Sequence, residues 1–293
     1  MCELARIPPT LVRDLRCHSA ASVRHAIATG TLQRPFRGVV LGRDAHRDPG
    51  TMVRGAQLSV GTPFPASHHS AAALWGFGVI DDGRVHLVGL ESEVDRSQPG
   101  VRMHSTHREP VTSPAFGVQA SGPNRTTIDL ARLLTAPDAL AVVDAALRTG
   151  LVTHESLTTE LLEHAGLRGV ISARRAVEWG DARAESPQES RLRWIALAAG
   201  LPPMDLQIVV HTPSGDFRLD MGWEERRVGV EYDGGWHAGH AQLRYDRARH
   251  NALDLDAWRM LYFTDVDLRA PQRTADRMAA AVGVTARRLP GRR

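Results

Sequence analysis

Phe217-Arg218-Leu219-Asp220-Met221-Gly222-Trp223, a charged Glu224-Glu225-Arg226 turn, and Arg227-Val228-Gly229-Val230-Glu231-Tyr232-Asp233-Gly234-Gly235-Trp236-His237 form the stretch that decides how this chain is read. Apolar and polar residues alternate in both runs, which is the period of a strand. A hairpin with Glu224-Glu225 as its loop sets Trp223 opposite Arg226, Met221 opposite Val228 and Leu219 opposite Val230. Alternation then sends Asp220, Glu231 and Asp233 to the other face. Glu231 and Asp233 stand about 6.6 Å apart at strand rise. Three carboxylates on one face repel one another unless a cation lies among them, and a hard divalent ion with oxygen ligands meets that need. Asp220, Glu231 and Asp233 are therefore the expected metal ligands.

Around this hairpin the pattern is α/β. Ser186-Pro187-Gln188-Glu189 carries Ser at the N-cap, Pro at the first helical position and Glu two residues later, so a helix is expected to run to Gly200. Glu189 is explained by the cap alone, or serves as a fourth acid beside the strands. A strand over 205–211, containing Gln207, leads through a turn into the hairpin. A helix over 241–256 follows, with Arg244, Arg247 and Arg249 on its basic surface. Trp258 to Phe263 reads as a strand, a helix from about Gln272 to Val282 closes the module, and the tail 287–293 is basic.

The chain has no lysine among its 36 basic residues, which excludes Schiff-base, P-loop and kinase-type lysine chemistry. Residues 1–60 hold nine arginines against four acids, while residues 61–185 are acidic. A basic head suggests a surface facing nucleic acid. In that head, helices over Pro9–Arg16 and 20–29 precede a basic hairpin, Leu32 to Leu41. This is the layout of a winged helix-turn-helix, with Ser22, Arg24 and His25 facing the major groove and Arg34 and Arg37 on the wing. A small helical cap with solvated arginines has the same pattern.

After a helix over 52–60, residues 61–183 read as a mostly α-helical connecting domain, with helices over 68–76, from Thr126 to before Pro137, and over 139–147, 154–164 and 170–179, and short extended runs between 84 and 120. Adjacent His68 and His69 cannot share a helix face and read as surface or capping residues. His104 and His107 have metal-like spacing without evident partners. Asp129 and Arg132, three apart, read as a structural pair. Residues 181–185 are the expected linker. No run reaches the roughly 18–20 apolar residues of a membrane span, Met1 to Thr10 does not look like a signal peptide, and Cys2 and Cys17 are the sole cysteines. A cytoplasmic protein is expected.

Two resemblances add to this. Gly30-Thr31-Leu32 with Arg37-Gly38-Val39-Val40, and Ser67-His68-His69-Ser70-Ala71-Ala72-Ala73-Leu74-Trp75-Gly76, resemble the AbiEi-type antitoxin family over about residues 10–80. The resemblance implies an N-terminal winged-helix module, with DNA and a cognate toxin protein as partners. Glu189, Gln207, Asp220, Glu231-Tyr232-Asp233-Gly234, His237, Asp246, Arg249 and Trp258-Arg259-Met260 resemble the restriction-endonuclease-like superfamily over about residues 186–270. The closer likeness is to its branch related to the very-short-patch mismatch endonuclease. This second resemblance implies Mg²⁺ (or Mn²⁺) on Asp220 and Glu231, with Asp233 a further ligand where much of the superfamily has lysine. It also implies His237 as general acid/base, Arg249 as a phosphate clamp and Glu189 as a further acid. Gln207, Arg244 and Arg247 would help to bind substrate.

The sequence is thus read as an α/β and α+β multidomain protein. Residues 1–60 form a winged helix-turn-helix domain, 61–183 a connecting domain, 184–286 a restriction-endonuclease-like mixed-sheet domain, and 287–293 a basic tail. The function expected is a DNA-binding, Mg²⁺-dependent endonuclease. The alternative is an AbiEi-like antitoxin or transcriptional regulator whose nuclease-like domain is inactive.

Overall fold

Ser19 accepts a hydrogen bond from the Ser22 amide and opens α1 (Ala20–Ala28), satisfying an amide that a helix start leaves without an intrahelical partner. The structure, a computed structural model, describes residues 4–15, 18–94, 98–107, 109–234 and 249–289. It is a mixed α/β fold. The chain divides into two compact units, Met1–Leu133 with Leu151–Val170, and Leu134–Gly150 with Ile171–Arg293.

In the first unit β1 (Thr10–Leu11), β2 (Leu32–Phe36) and β3 (Val39–Gly42) form a sheet in the order β1-β3-β2. The helix expected over Pro9–Arg16 is not formed in the described part. Thr10 and Leu11 pair with Val40 and Val39, the Val12 amide bonds the Gly38 carbonyl at 2.9 Å, and Val12–Asp14 make one 3-10 turn. Pro8 and Pro9 supply no amide, and the β3 edge competes for those of their neighbours. One α-helix on a three-stranded sheet therefore stands where a helix pair was expected. Phe36 and Val39 flank a two-residue tip, Arg37-Gly38, where Gly38 adopts φ 71°, a conformation that glycine takes without strain.

The unit continues with α2 (Pro49–Val60), capped by Asp48, and α3 (His68–Leu74). Next come the parallel pair β4 (Val85–Leu90) and β5 (Val101–Thr106) and the hairpin β6 (Thr112–Ala115) and β7 (Val118–Ser121). Helices α4 (Pro123–Leu133) and α6 (His154–Glu163) complete it. Asp129 accepts from Arg125 at 2.8 Å and from Arg132 at 3.2 Å, a structural network beside the buried His164. Phe36, Val39 and Val53 share one core cluster with Leu74, Leu87 and Ala120. This cluster runs across residue 60, the boundary expected from the sequence.

Residue 183, the other boundary expected, is crossed as well. In the second unit, a buried ion pair ties α5 (Ala136–Arg148) to α8 (Pro187–Ala198), and a hydrogen bond ties α7 (Val170–Trp179) to α8. Arg193 Nη2 reaches both Asp144 oxygens at 2.7 Å, and Arg193 Nη1 donates to the Trp179 carbonyl at 2.5 Å. Residues 181–185 are built into this unit as well. The Asp181 amide bonds Asp144, Ala184 is fully buried, and Arg218 grips Glu185.

The sheet of this unit runs β11 (Arg259–Phe263), β10 (Val228–Tyr232), β9 (Gly215–Trp223), β8 (Asp205–Thr212). Neighbours are antiparallel except β10 and β11. Residues 249–255, α9, are helical between β10 and β11, and α10 (Asp265–Arg269) and α11 (Pro271–Val282) follow. The expected tail is fastened where it is described: the Arg287 amide bonds the Ala199 carbonyl and the Leu289 amide bonds Gln272, both at 2.8 Å.

The hairpin register differs from the expectation by two residues. Trp223 pairs with Val228 and Met221 with Val230, because the connection takes four residues. Glu224–Arg226 form a 3-10 turn, and Arg227 turns back at φ 51°. A shift of two preserves alternation, but alternation itself breaks at Asp220. Met221 and Trp223 join the core with α8 and α11 residues, whereas Leu219 joins Ala252, Leu253 and Trp258.

Candidate functional site

The break occurs at Gln207 and Asp220. Leu206 pairs with Met221 and Ile208 with Leu219, and Gln207 between them sits at φ 55°, a conformation that non-glycine residues rarely adopt. Continuing the β9–β10 register places Glu231 opposite Asp220. There the ladder opens, and the Tyr232 amide donates to the Asp220 carboxylate at 3.2 Å instead.

Glu189 joins these residues from α8. Its Oε2 accepts from the Glu185 amide at 2.9 Å and from Gln207 Nε2 at 3.4 Å. Its own amide donates to the Ser186 hydroxyl at 3.2 Å, so the carboxylate does not close the expected capping box on Ser186. Gln207 Oε1 is buried without a hydrogen-bond partner among the described residues. Arg249, on α9, donates to both oxygens of Glu231, one bond measuring 3.0 Å, and to the Arg218 carbonyl at 3.0 Å.

Burial holds the Glu189, Asp220 and Glu231 carboxyls above the usual carboxylate range. Hydrogen bonds oppose it at all three, as does the charge of Arg249 at Asp220 and Glu231. The sequence-predicted Glu189, Gln207, Asp220, Glu231 and Arg249 are thus brought together. Asp233 is exposed, with its amide on the Phe263 carbonyl at 2.8 Å. His237, Arg244 and Arg247 lie outside the described residues.

A hard divalent cation at these acids would need free carboxylate oxygens. The Arg249 guanidinium occupies the Glu231 oxygens that such an ion would take. Among the described residues, the clusters that bring three ligand atoms within 4.8 Å of one another lie in the first unit, His68, His86 and His104 in one and His69, Asp82 and His86 in the other.

In the first unit Ser22, Arg24 and His25 are exposed on α1, while Val23 and Ala26 are buried beneath them. Arg34 and Arg37 are exposed on β2 and at the hairpin tip. Arg24, Arg34 and Arg37 make no ion pair among the described residues. The α1 face and the hairpin tip that carry these side chains are solvent-exposed.

The histidines depart from their sequence reading. His68 is 8% exposed and His86 5%. In the parallel β4–β5 pair, His86 faces Arg102 and Val88 faces His104, so both histidines point to one side of the sheet. His86 Nδ1 lies 2.9 Å from His104 Nε2, and His86 Nε2 donates to Asp82 at 3.0 Å. The His68 ring stacks on His104 with centroids 3.6 Å apart, and its Nδ1 is 3.1 Å from the Ser67 hydroxyl. His69 sets its edge to His86 and bonds the Ile80 carbonyl. His107 pairs with Glu91 instead, so the spacing from His104 to His107 was not the informative one. Parallel strand pairing brings together two histidines eighteen residues apart, and a periodicity search within one element does not see it.

Among known proteins, the profile of the AbiEi antitoxin C-terminal domain matches residues 16–178. Two uncharacterized proteins of Mycobacterium tuberculosis, one from each of two strains, are each 32% identical over 265 residues, 86% of this chain and 93% of theirs. The family match reaches well past residue 80, takes in the histidine cluster, and ends before α8. Its description is of a C-terminal domain, whereas the sequence resemblance pointed to an N-terminal winged-helix module. With more than half of its 293 residues in that match, the chain belongs to the AbiEi antitoxin C-terminal domain family.

Proposed function

We propose that this chain acts as the antitoxin and DNA-binding regulator of a toxin–antitoxin pair. Membership of the AbiEi antitoxin family is the observation that carries this reading. The exposed α1 face with Ser22, Arg24 and His25 supports it, as do the arginines Arg34 and Arg37 at the hairpin. Guanidinium groups on a helix face and a wing suit phosphate and base-edge contacts.

The test is fluorescence anisotropy of the full chain on the DNA upstream of its own coding sequence, against an unrelated duplex, over a range of salt. Arg24→Ala with Arg37→Ala weakens binding about tenfold or more and lowers the salt slope by about 0.9 per lost phosphate contact. Equal binding by wild type and variant removes the assignment. Suppression of growth arrest on co-expression with a toxin encoded beside it tests the partner.

A second reading, metal-dependent phosphodiester hydrolysis in the second unit, is favoured by Glu189, Asp220 and Glu231 gathered at the strand opening. Arg249 on Glu231 stands against it. Under the antitoxin reading, DNA stays intact with Mg²⁺, Mn²⁺ or EDTA. Metal-dependent cutting that Asp220→Ala abolishes would put the nuclease first.

A further inference from the structure

We propose that His68, His86 and His104 form a binding site for a zinc-class divalent transition metal, with Asp82 as the outer partner that orients His86. This goes beyond the antitoxin reading and uses none of the residues assigned to DNA.

Three observations converge. The ligand atoms of the three histidines lie within 4.8 Å of one another. All three rings are set into the protein, His68 and His86 buried and His104 half-buried, and burial favours the neutral imidazole. A neutral imidazole is the form that ligates metal. Finally, His86 Nε2–H donates to Asp82 Oδ1, which leaves Nδ1 with its lone pair directed at His104. A carboxylate behind a histidine is the usual outer partner of a metal ligand.

Imidazole without cysteine suits zinc, cobalt, nickel or copper rather than magnesium. Bonds of about 2.0–2.1 Å in tetrahedral geometry separate ligand nitrogens by roughly 3.3 Å. His86 Nδ1 and His104 Nε2 are 2.9 Å apart and need to part by only a few tenths of an ångström. The proton between them moves to His104 Nδ1, a change of tautomer, and the His68 ring rotates off its stack on His104 to aim a nitrogen at the ion. The half-buried edge of His104 leaves room for a solvent ligand in the fourth position. Such an ion would pin the start of α3 to β4 and β5. Arg102 and Arg125 contribute opposing positive charge, which Asp82 partly offsets.

The experiment uses the full chain without a histidine tag. Zn²⁺ is titrated by calorimetry, and Co²⁺ by visible absorption, for wild type, His104→Gln, Asp82→Asn, His69→Gln and the surface control His107→Gln. Circular dichroism checks that each variant folds. One equivalent is expected to bind wild type and His107→Gln alike and to raise the melting temperature. Affinity should fall about 10–100-fold in Asp82→Asn and further in His104→Gln. Nitrogen-15 spectra of wild-type histidines with and without Zn²⁺ give a readout that does not depend on any variant, since metal moves the ligating nitrogens of His68, His86 and His104. No uptake by wild type, or uptake that His104→Gln leaves unchanged, overturns the site. Loss in His69→Gln with retention in His104→Gln would place the ion at His69, Asp82 and His86 and overturn the ligand set.

Discussion

Asp220 stands where β9 stops pairing with β10, and its carboxylate takes the Tyr232 amide that a backbone carbonyl would otherwise accept. Burial raises its proton affinity, against the pull of that amide and of Arg249 and Arg218. A carboxyl raised in the folded state binds more protons there than in the unfolded chain. Its contribution to stability is therefore present at low pH and is lost as pH climbs from the unfolded value through the folded one. Asp220→Asn keeps an acceptor for Tyr232 without the buried charge. The variant should be more stable than wild type at neutral pH, by up to about 1 kcal/mol. That advantage should shrink as pH falls toward 4, as read from thermal melts across pH 4–7. A variant less stable at neutral pH would show that the arginines outweigh burial. Strand alternation, visible in one dimension, grouped Asp220 and Glu231 with Asp233, which is exposed, and the nuclease-like resemblance pointed to Glu189, Gln207 and Arg249. Neither showed that Arg249 returns from α9 to hold Glu231, because that approach is made by the crossover between β10 and β11.

Helix starts were the most legible elements. Ser19 and Ser186 each accept the amide three residues on, and Gly38 marks its hairpin, because these are local solutions to backbone geometry. The segment before α1 was not legible. Its fate as strand and 3-10 turn is set by an edge of β3 that lies elsewhere in the sequence. The same holds for α5 and α8, whose packing rests on Asp144 and Arg193, 0% and 5% exposed. Burial raises the Asp144 carboxyl, and Arg193 draws it back down. Asp144→Ala leaves a guanidinium buried without its carboxylate, and removing one member of a buried pair costs about 3–5 kcal/mol. Chemical denaturation of the full chain should show a loss of that size. A change below about 1 kcal/mol would mean that water reaches Arg193.

At the scale of the whole molecule, the chain passes between its two units three times, near residues 133, 150 and 170. Fragments cut at the sequence-derived boundaries are therefore incomplete. Residues 184–293 alone lack Asp144 and the helix that carries it, and residues 1–60 alone lack Leu74, Leu87 and Ala120 from their core. Neither fragment should show a cooperative thermal transition, and both should be cut rapidly by protease. A cooperative melt of residues 184–293 would contradict the assignment of α5 to that unit. No helix described is long and apolar enough to cross a membrane.

By itself the sequence determined what is local: the caps, the strand periodicity of 217–232, the acids on neighbouring strands, the basic head and the absence of lysine. It also carried the likeness to AbiEi antitoxins. Tertiary structure decided everything that depends on which distant segments meet. It set the four-residue connection that moved the hairpin register by two and broke the alternation at Asp220. It also set the arginine on Glu231 and the distribution of the middle residues between two units. The parallel pairing of β4 and β5 sets His86 beside His104, and α3 brings His68 and His69 to them, a cluster that the sequence did not group. Periodicity reports the face of one element. The partner of that face is chosen by burial and strand pairing across the folded chain.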